Sequence, residues 1–391
     1  MHSQIDLVIL GGGCAGLSLA SRLSAFGKDA PSVLIIEQRE NYTNDRTWCF
    51  WDIEHPAYKQ QANHAWTSFE ISNQQRTHQF DCRKHQYLML EGHTFYQDAL
   101  TTIEQNPNVE LLLGQQVISA PIKNENGWLI QTAQAQYAAK LIVDTRPPQK
   151  VNHQDAILWQ SFVGYEIQTQ ADCFLPEKMV LMDFDDTFDD GLAFIYILPT
   201  SEKKALIEYT VFSEKILDKQ PLITRLNQSI AQKMDGLSYD ILRTEHGTLP
   251  MGNQLANPNK ESTYLYAGLF AGAARPSSGY AFQRIQSWAT VCAQSIIDTN
   301  TLYAFPKERW LQSFMDELFL TVIHNNPAIA ASLFEDLFSQ CDFQTVVKFM
   351  SDKATVSEHL QIIKSLPPLP FIKALPTFLI KKICAKIALS S

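Results

Sequence analysis

Apolar residues fall into three regimes along the chain, and each predicts a different kind of element. Near the N-terminus "IDLVIL" (5–10) is a short apolar run, followed by the glycine turn "GGG" and then "CAGLSLASRLSAFG", a helix with small residues near its start. A second run, "SVLIIE", closes on Glu37, and "AAKLIVDTRPP" (138–148) predicts a further strand ending at Asp144.

The second regime alternates. In "LAFIYILPTSEKKALIEYTVF" (192–212), two runs rich in β-branched and aromatic residues flank a polar turn, Thr200 to Lys204, as in an antiparallel hairpin. Glu208 interrupts the second run, between Ile207 and Tyr209. Strand side chains alternate faces, so it shares a face with Leu206, Thr210 and Phe212. The pattern by itself leaves two readings open. One face of the hairpin is solvated, or Glu208 is a carboxyl held in an apolar cavity, where a catalytic acid would stay protonated.

The third regime starts at Phe305. "ERWLQSFMDELFLTVIHN" and "SLFEDLFSQCDFQTVVKFM" carry apolar residues at helical spacing, with breaks near Pro327 and Pro367–Pro370. The tail "FIKALPTFLIKKICAKIALSS" sets Leu379, Ile380, Ile383 and Ile387 on one stripe with lysines at its margins. No acidic residue follows Glu358, whereas Lys364, Lys373, Lys381, Lys382 and Lys386 do. Such a helix suits the interfacial plane of a membrane, apolar face down and lysines reaching the headgroups.

Composition narrows the partners. A net charge of −9 argues against nucleic acid as the main partner. The seven cysteines (14, 49, 82, 173, 292, 341 and 384) form no CxxC pair, which predicts reduced thiols in a cytosolic compartment. No HExxH or paired-histidine motif is present, and no metal site is expected. The chain enters a strand at once, so no signal peptide is expected, and no run reaches the ~20 apolar residues of a membrane span.

The spacing Gly11-x-Gly13-x-x-Gly16 fits the dinucleotide fingerprint. Gly11 permits the tight turn, Gly13 admits a pyrophosphate to the backbone, and Gly16 lets the helix pack on the strand. Glu37 stands where an acid would bind the ribose hydroxyl. The N-terminal position of the fingerprint, and a later return of nucleotide-domain-like sequence, favour FAD over NAD. In that return, "YLYAGLFAGAARPSSGYAFQRIQSWATVCAQSI" (264–296) reads as a strand, a small-residue loop and a long helix. The loop, with Gly272, Ser277, Ser278 and Gly279, suits a planar ring lying against the backbone.

Three stretches resemble the flavin-dependent lycopene cyclases: "NDRTWCFW" (44–51), "FIYILPTSEKKALIEYT" (194–210) and "AGLFAGAARPSSGYAF" (267–282). Weaker agreements in family order are "QSFVGYEI", "MDF", "HGTLPMG" and "PPLPFIKAL", so the resemblance covers essentially the whole chain. Arg275 stands where many members carry histidine. The resemblance implies an α/β fold: a Rossmann-like FAD-binding domain (1–50, 80–150, 244–300), an inserted antiparallel-sheet substrate domain (51–79, 151–243) and a helical C-terminal lobe (301–391) with a membrane-facing tail. It implies a redox-neutral, acid-initiated cyclisation of the acyclic ends of lycopene to β-ionone rings, with reduced FAD as cofactor and NAD(P)H as reductant.

The same resemblance assigns roles. Glu208 is the proton donor, and Arg46 and Thr47 join the glycines and serines at the flavin. Trp48, Phe50, Trp51 and Tyr196 contact substrate; for the three N-terminal aromatics, packing as core residues at a domain seam is the alternative. Glu166 and Asp183 are second acids or structural carboxylates, Asp183 in an acid-rich run read as a solvated loop. The expected location is the cytoplasmic face of the membrane, peripherally attached. The competing readings are a redox flavoenzyme of the same fold, an oxygenase or desaturase acting on an apolar substrate, and a flavoprotein that only passes electrons.

Overall fold

The computed structural model describes residues 4–53, 56–185, 187–252 and 261–390, and resolves the chain into three sheets and a helical C-terminal region. In the first sheet Ile5–Leu10 lies between Val33–Ile36 and Gln136–Asp144, all parallel, with Val109–Leu112 outside Val33–Ile36. Tyr264–Tyr266 joins in parallel beside the end of Gln136–Asp144. Both faces are covered. Leu7 and Ile9 pack with Leu17 and Trp288 on one side, and Val8 and Leu10 with Ile36 and Trp128 on the other. Burial on both faces is why these strands read as unbroken apolar runs.

The second sheet is mainly antiparallel, in the order Tyr239–Met251, Leu158–Thr169, Lys204–Ser213, Leu192–Pro199, Lys178–Phe184, Ser68–Ser72 and Thr77–Asp81. The hairpin forms with Tyr196 opposite Glu208. Neither of its faces is solvated. Ala205, Ile207, Tyr209 and Val211 pack under the helix Lys219–Met234, with Leu222, Leu226 and Ile230. Leu206 and Phe212, on the face of Glu208, join a core shared with the C-terminal helices. The solvated-face reading of Glu208 therefore fails, because a second set of helices covers that side. Asp183 is likewise in a strand and not in a loop; Ser72 Oγ donates to it at 2.7 Å and Lys233 pairs with it.

A small third sheet, Thr47–Trp51, Tyr87–Glu91 and His64–Trp66, lies between the cores of the other two. Its central aromatics divide by strand parity. Phe50 enters the nucleotide-side core, and Trp51 the core shared with the helices.

The C-terminal helices are Trp310–Asn325, Ala330–Gln340, Phe343–Met350, Val356–Ser365 and Pro368–Ser390. Asp342 caps the third, and Thr355 with Glu358 forms a capping box on the fourth. Pro368 begins the last helix, where its missing N–H is harmless, and Pro376 lies within it. Ala374 and Phe378 of this helix are buried, whereas Ile372, Leu379 and Ile380 are exposed. The side chains of Ile383 and Ile387 lie outside the described residues. Among the described residues no helix is long and apolar enough to cross a membrane.

Candidate active site

The glycine turn has the geometry of a cradle. Gly11 has φ +94°, and a Cβ on Gly16 would lie 2.0 Å from the carbonyl oxygen of Gly11, so both positions require glycine. Gly13 differs: a Cβ there meets nothing nearer than Arg39 Nη2 at 4.0 Å. Gly13 is also the N-cap of the helix Cys14–Ser24, and no side chain caps that end. Open space before uncapped helix N–H groups suits a diphosphate. Glu37 is buried at the end of its strand, accepting from Gly12 N at 2.5 Å and Arg39 N at 2.8 Å. It holds the glycine turn in place.

The loop after Tyr264–Tyr266 faces the same edge. The strands ending at Leu10, Asp144 and Tyr266 are parallel, so both loops leave from carboxyl ends, where open α/β sheets bind ligands. Gly268 (φ +97°), Gly272 (φ +99°) and Gly279 (φ +71°) all use backbone conformations that glycine favours. A Cβ on Gly279 would lie 2.8 Å from Gln160 Oε1, so this loop also closes on the second sheet.

Four residues form a row across the second sheet: Tyr196, Glu208, Gly164 and Glu245. Glu208 keeps some accessible surface within an enclosed site, and its Oε1 accepts from Thr210 Oγ1 at 2.7 Å. Burial, reinforced by the charge of Glu245, raises its pKa from 4.5 to about 8. Glu245 is 5% exposed and its Oε2 accepts from Arg243 Nη1 at 2.8 Å and from Thr47 Oγ1 at 3.1 Å. Burial also pushes Glu245 up, but Arg243 opposes it. The carboxyl paired with the guanidinium is the one that ionises first, and the proton stays on Glu208.

Glu166 takes no part in this pair. Arg243 Nε binds it at 2.8 Å and Lys204 pairs with it; these bonds outweigh its burial and hold its pKa below the usual range. Asp45 accepts from the Tyr96 hydroxyl at 2.8 Å, away from the row.

Next to Tyr196 an apolar cavity of about 330 Å³ runs between this sheet and the C-terminal helices. Tyr196, Phe212, Tyr280, Phe319 and Phe334 line it, with Phe371 and Ile372 from the last helix. Glu208 is not among the lining residues of this cavity; it lies one strand beyond Tyr196 on the same face. Ser277 and Ser278 contribute the polar edge, and Ser277 Oγ donates to Asp316 Oδ1 at 2.9 Å. Arg275, wholly buried, binds Asp316 at 3.0 Å and Asp352 at 3.3 Å, with its guanidinium 4.3 Å from the Phe349 ring centre.

The structure thus brings Tyr196 and Glu208 to one row, Thr47 to the Glu245 end of it, and the glycines to one sheet edge. Arg46 turns to the second sheet, donating to the His246 carbonyl at 2.7 Å. Trp48 and Phe50 pack on Phe282 at the start of the long helix Phe282–Thr299, and Trp51 packs on Phe69, Tyr87 and Phe343. Glu245, Arg243, Gly164 and Cys49 were not foreseen. Cys49 faces both Glu245 and Glu208, whose charges add to burial in raising its thiol pKa. The signal for Glu245 was adjacent, since it directly precedes "HGTLPMG".

Comparison with known proteins bears on the fold and the family. The solved structures that resemble it include a geranylgeranyl bacteriochlorophyll reductase-like protein from Thermoplasma acidophilum, with a TM-score of 0.65 and 13% identity, covering 96% of this chain and 99% of that one. A probable FAD-dependent monooxygenase from Pseudomonas aeruginosa gives 0.58 and 13%, covering 85% and 100%. These likenesses show a Rossmann-like α/β fold. By sequence, the chain is 23% identical over 392 residues to a lycopene beta-cyclase of Pantoea ananas, spanning 96% of this chain and 98% of the relative. A second lycopene beta-cyclase, from Paracoccus sp. (strain N81106 / MBIC 01143), is 26% identical over 260 residues, 61% of this chain and 64% of the relative. Residues 6–375 match the family described as lycopene cyclase protein, and the chain belongs to that family.

Proposed function

We propose that this chain is a lycopene β-cyclase, closing the acyclic ends of lycopene to β-ionone rings, with Glu208 as the proton donor. The observation that carries this reading is a carboxyl kept neutral to about pH 8 on the face that bears the aromatic cavity. Protonating a terminal trisubstituted alkene needs an acid delivered away from water, and desolvation keeps Glu208 in that form. The Glu208 O–H bond breaks as a C–H bond forms and leaves a tertiary cation. The neighbouring alkene attacks that cation to close a six-membered ring, and loss of a proton completes an isomerisation with no net redox change. Tyr196 and Tyr280 present aromatic surface at the cavity wall, and aromatic faces attract positive charge.

FAD fits the residues present: Gly13 and the uncapped helix end suit its diphosphate, and the 268–279 loop suits its ring. When bound and reduced, with NAD(P)H as reductant, it would supply negative charge beside the cation. The Rossmann-like sheet and its loops would hold it, and the C-terminal helices would close the cavity. The second sheet would hold substrate; because it contains all of Thr77–Asp81 and Tyr239–Met251, residues 80–81 and 244–251 belong with it and not with the nucleotide-side segments expected from the sequence. The exposed Ile372, Leu379 and Ile380, with the lysines of the tail, support peripheral attachment to the cytoplasmic face of the membrane, from which a carotenoid can enter.

Expression in a lycopene-making bacterial host, followed by pigment analysis, tests the assignment. Cyclic carotenoids with the parent chain and unchanged lycopene with Glu208→Gln are expected. Anaerobic turnover separates a redox enzyme of the same fold, since an oxygenase would need oxygen and stoichiometric NAD(P)H.

A further inference from the structure

Between Glu208 and Glu245 stands Gly164, paired with both through the strands on either side. A Cβ built on Gly164 would lie 3.5 Å from Glu208 Cβ and 3.3 Å from Glu245 Cγ. With no side chain on Gly164, both glutamates reach over its backbone, where Leu206 Cδ1 also comes within 3.3 Å of the same point. Two carboxylates in so small a buried space cannot both ionise readily. Their anchoring is unequal. Glu245 is fixed by Arg243 and Thr47, and Arg243 is itself held by Glu166. Among the described residues, Glu208 has only the Thr210 hydroxyl.

We propose that Glu245 is the positioning residue that keeps Glu208 in its proton-bearing form, by presenting an anchored carboxylate across Gly164. This rests on the reading of Glu208 as proton donor. The other titratable groups facing Glu208 are Cys49, from the Thr47–Trp51 strand, and Tyr196, from the neighbouring strand of the hairpin. Both have pKa values raised by burial and stay neutral, which leaves Glu245 as the charged neighbour. Arg243 faces Glu245 and determines which of the two carboxyls yields its proton first. Gly164 acquires a function on this account: it sets the spacing of the pair.

The test follows the protonated-carboxyl infrared band of the full-length, FAD-loaded protein against pH, with the Glu208 contribution assigned by its loss in Glu208→Gln. In Glu245→Gln the midpoint of that band should fall by about one pH unit or more, because the coupled charge has gone. Glu245→Asp should fall between that variant and the parent. The high-pH limb of product formation should move in parallel. An unchanged midpoint in Glu245→Gln overturns the proposal, because burial alone would then hold the proton. Should Glu245→Gln fail to fold, Glu245→Asp decides: a partial fall supports the role and an unmoved midpoint removes it. The outcomes also separate the two readings. A fully active Glu208→Gln sinks the donor assignment, whereas an inactive Glu208→Gln with an unmoved midpoint in Glu245→Gln sinks only the role of Glu245.

Discussion

Tyr196 and Glu208 sit opposite each other in adjacent antiparallel strands, one lining the apolar cavity and the other holding a proton beside it. Cross-strand partners share a face of the sheet, so acid and cavity wall are fixed relative to each other by backbone pairing.

Replacing the acidic proton should silence turnover without disturbing the fold. Glu208→Gln is expected to retain FAD and thermal stability near pH 7, and to lose cyclisation by about 10²–10⁴-fold, the usual weight of a general acid. Glu208→Asp should retain part of the activity, because the shorter side chain misplaces the proton. Product analysis with detergent-dispersed lycopene reads both; full activity in the Gln variant would dismiss Glu208 as donor.

Stability should respond to pH in a direction set by the raised pKa. The unfolded chain releases this proton near 4.5, whereas the folded protein keeps it to about 8. The contribution is therefore fully present below pH 4.5 and lost as pH rises through about 8. Glu208→Gln lacks this titration, so its melting temperature relative to the parent should climb between pH 5 and pH 8.5. A constant difference across that range would show that the carboxyl is not buried in solution.

Cofactor retention should depend on Gly13 more than on Glu37. A valine side chain at Gly13 would enter the open space before the helix and exclude a diphosphate, so the purified variant should be colourless. Glu37→Gln keeps an acceptor for the Gly12 and Arg39 amides, and flavin content should fall only partly. Flavin absorbance per chain measures both.

Membrane attachment is better tested by substitution than by truncation. Removing the last helix would take away Ala374 and Phe378 from the core and Phe371 from the cavity wall. Leu379→Ser with Ile380→Ser changes only exposed side chains, and should shift the protein toward the soluble fraction in a salt-sensitive way. Unaltered fractionation would move the contact elsewhere on the surface.

What was legible in the sequence was local. The fingerprint turn, the hairpin and the strand ending at Asp144 depend on neighbours in the chain, and all three formed as their patterns predicted. The environment of Glu208 was not legible, because it depends on which strand lies beside it and on what covers the sheet. Glu245 is 37 positions further along, and it meets Glu208 only through the Gly164 strand between them. Asp183 was misjudged for a related reason: acidic residues cluster around it, but strand pairing with Ser68–Ser72 and Leu192–Pro199 determines its place.

The buried guanidinium of Arg275 has a mechanical consequence. It leaves the loop that follows Tyr266 and grips Asp316 on one helix and Asp352 beyond another. Breaking such a buried pair by removing one partner typically costs about 3–5 kcal/mol. The helix that carries Asp316 also carries Phe319 into the cavity. The 268–279 loop and the inner cavity wall are thereby tied to each other, and swinging the helical lobe away would have to break that buried pair. The outer wall is fastened more lightly: Phe371 and Ile372 come from the last helix, whose Lys382 pairs with Glu317 at 3.1 Å in a partly exposed contact, so under the proposed function this is the wall a long hydrocarbon would displace more easily.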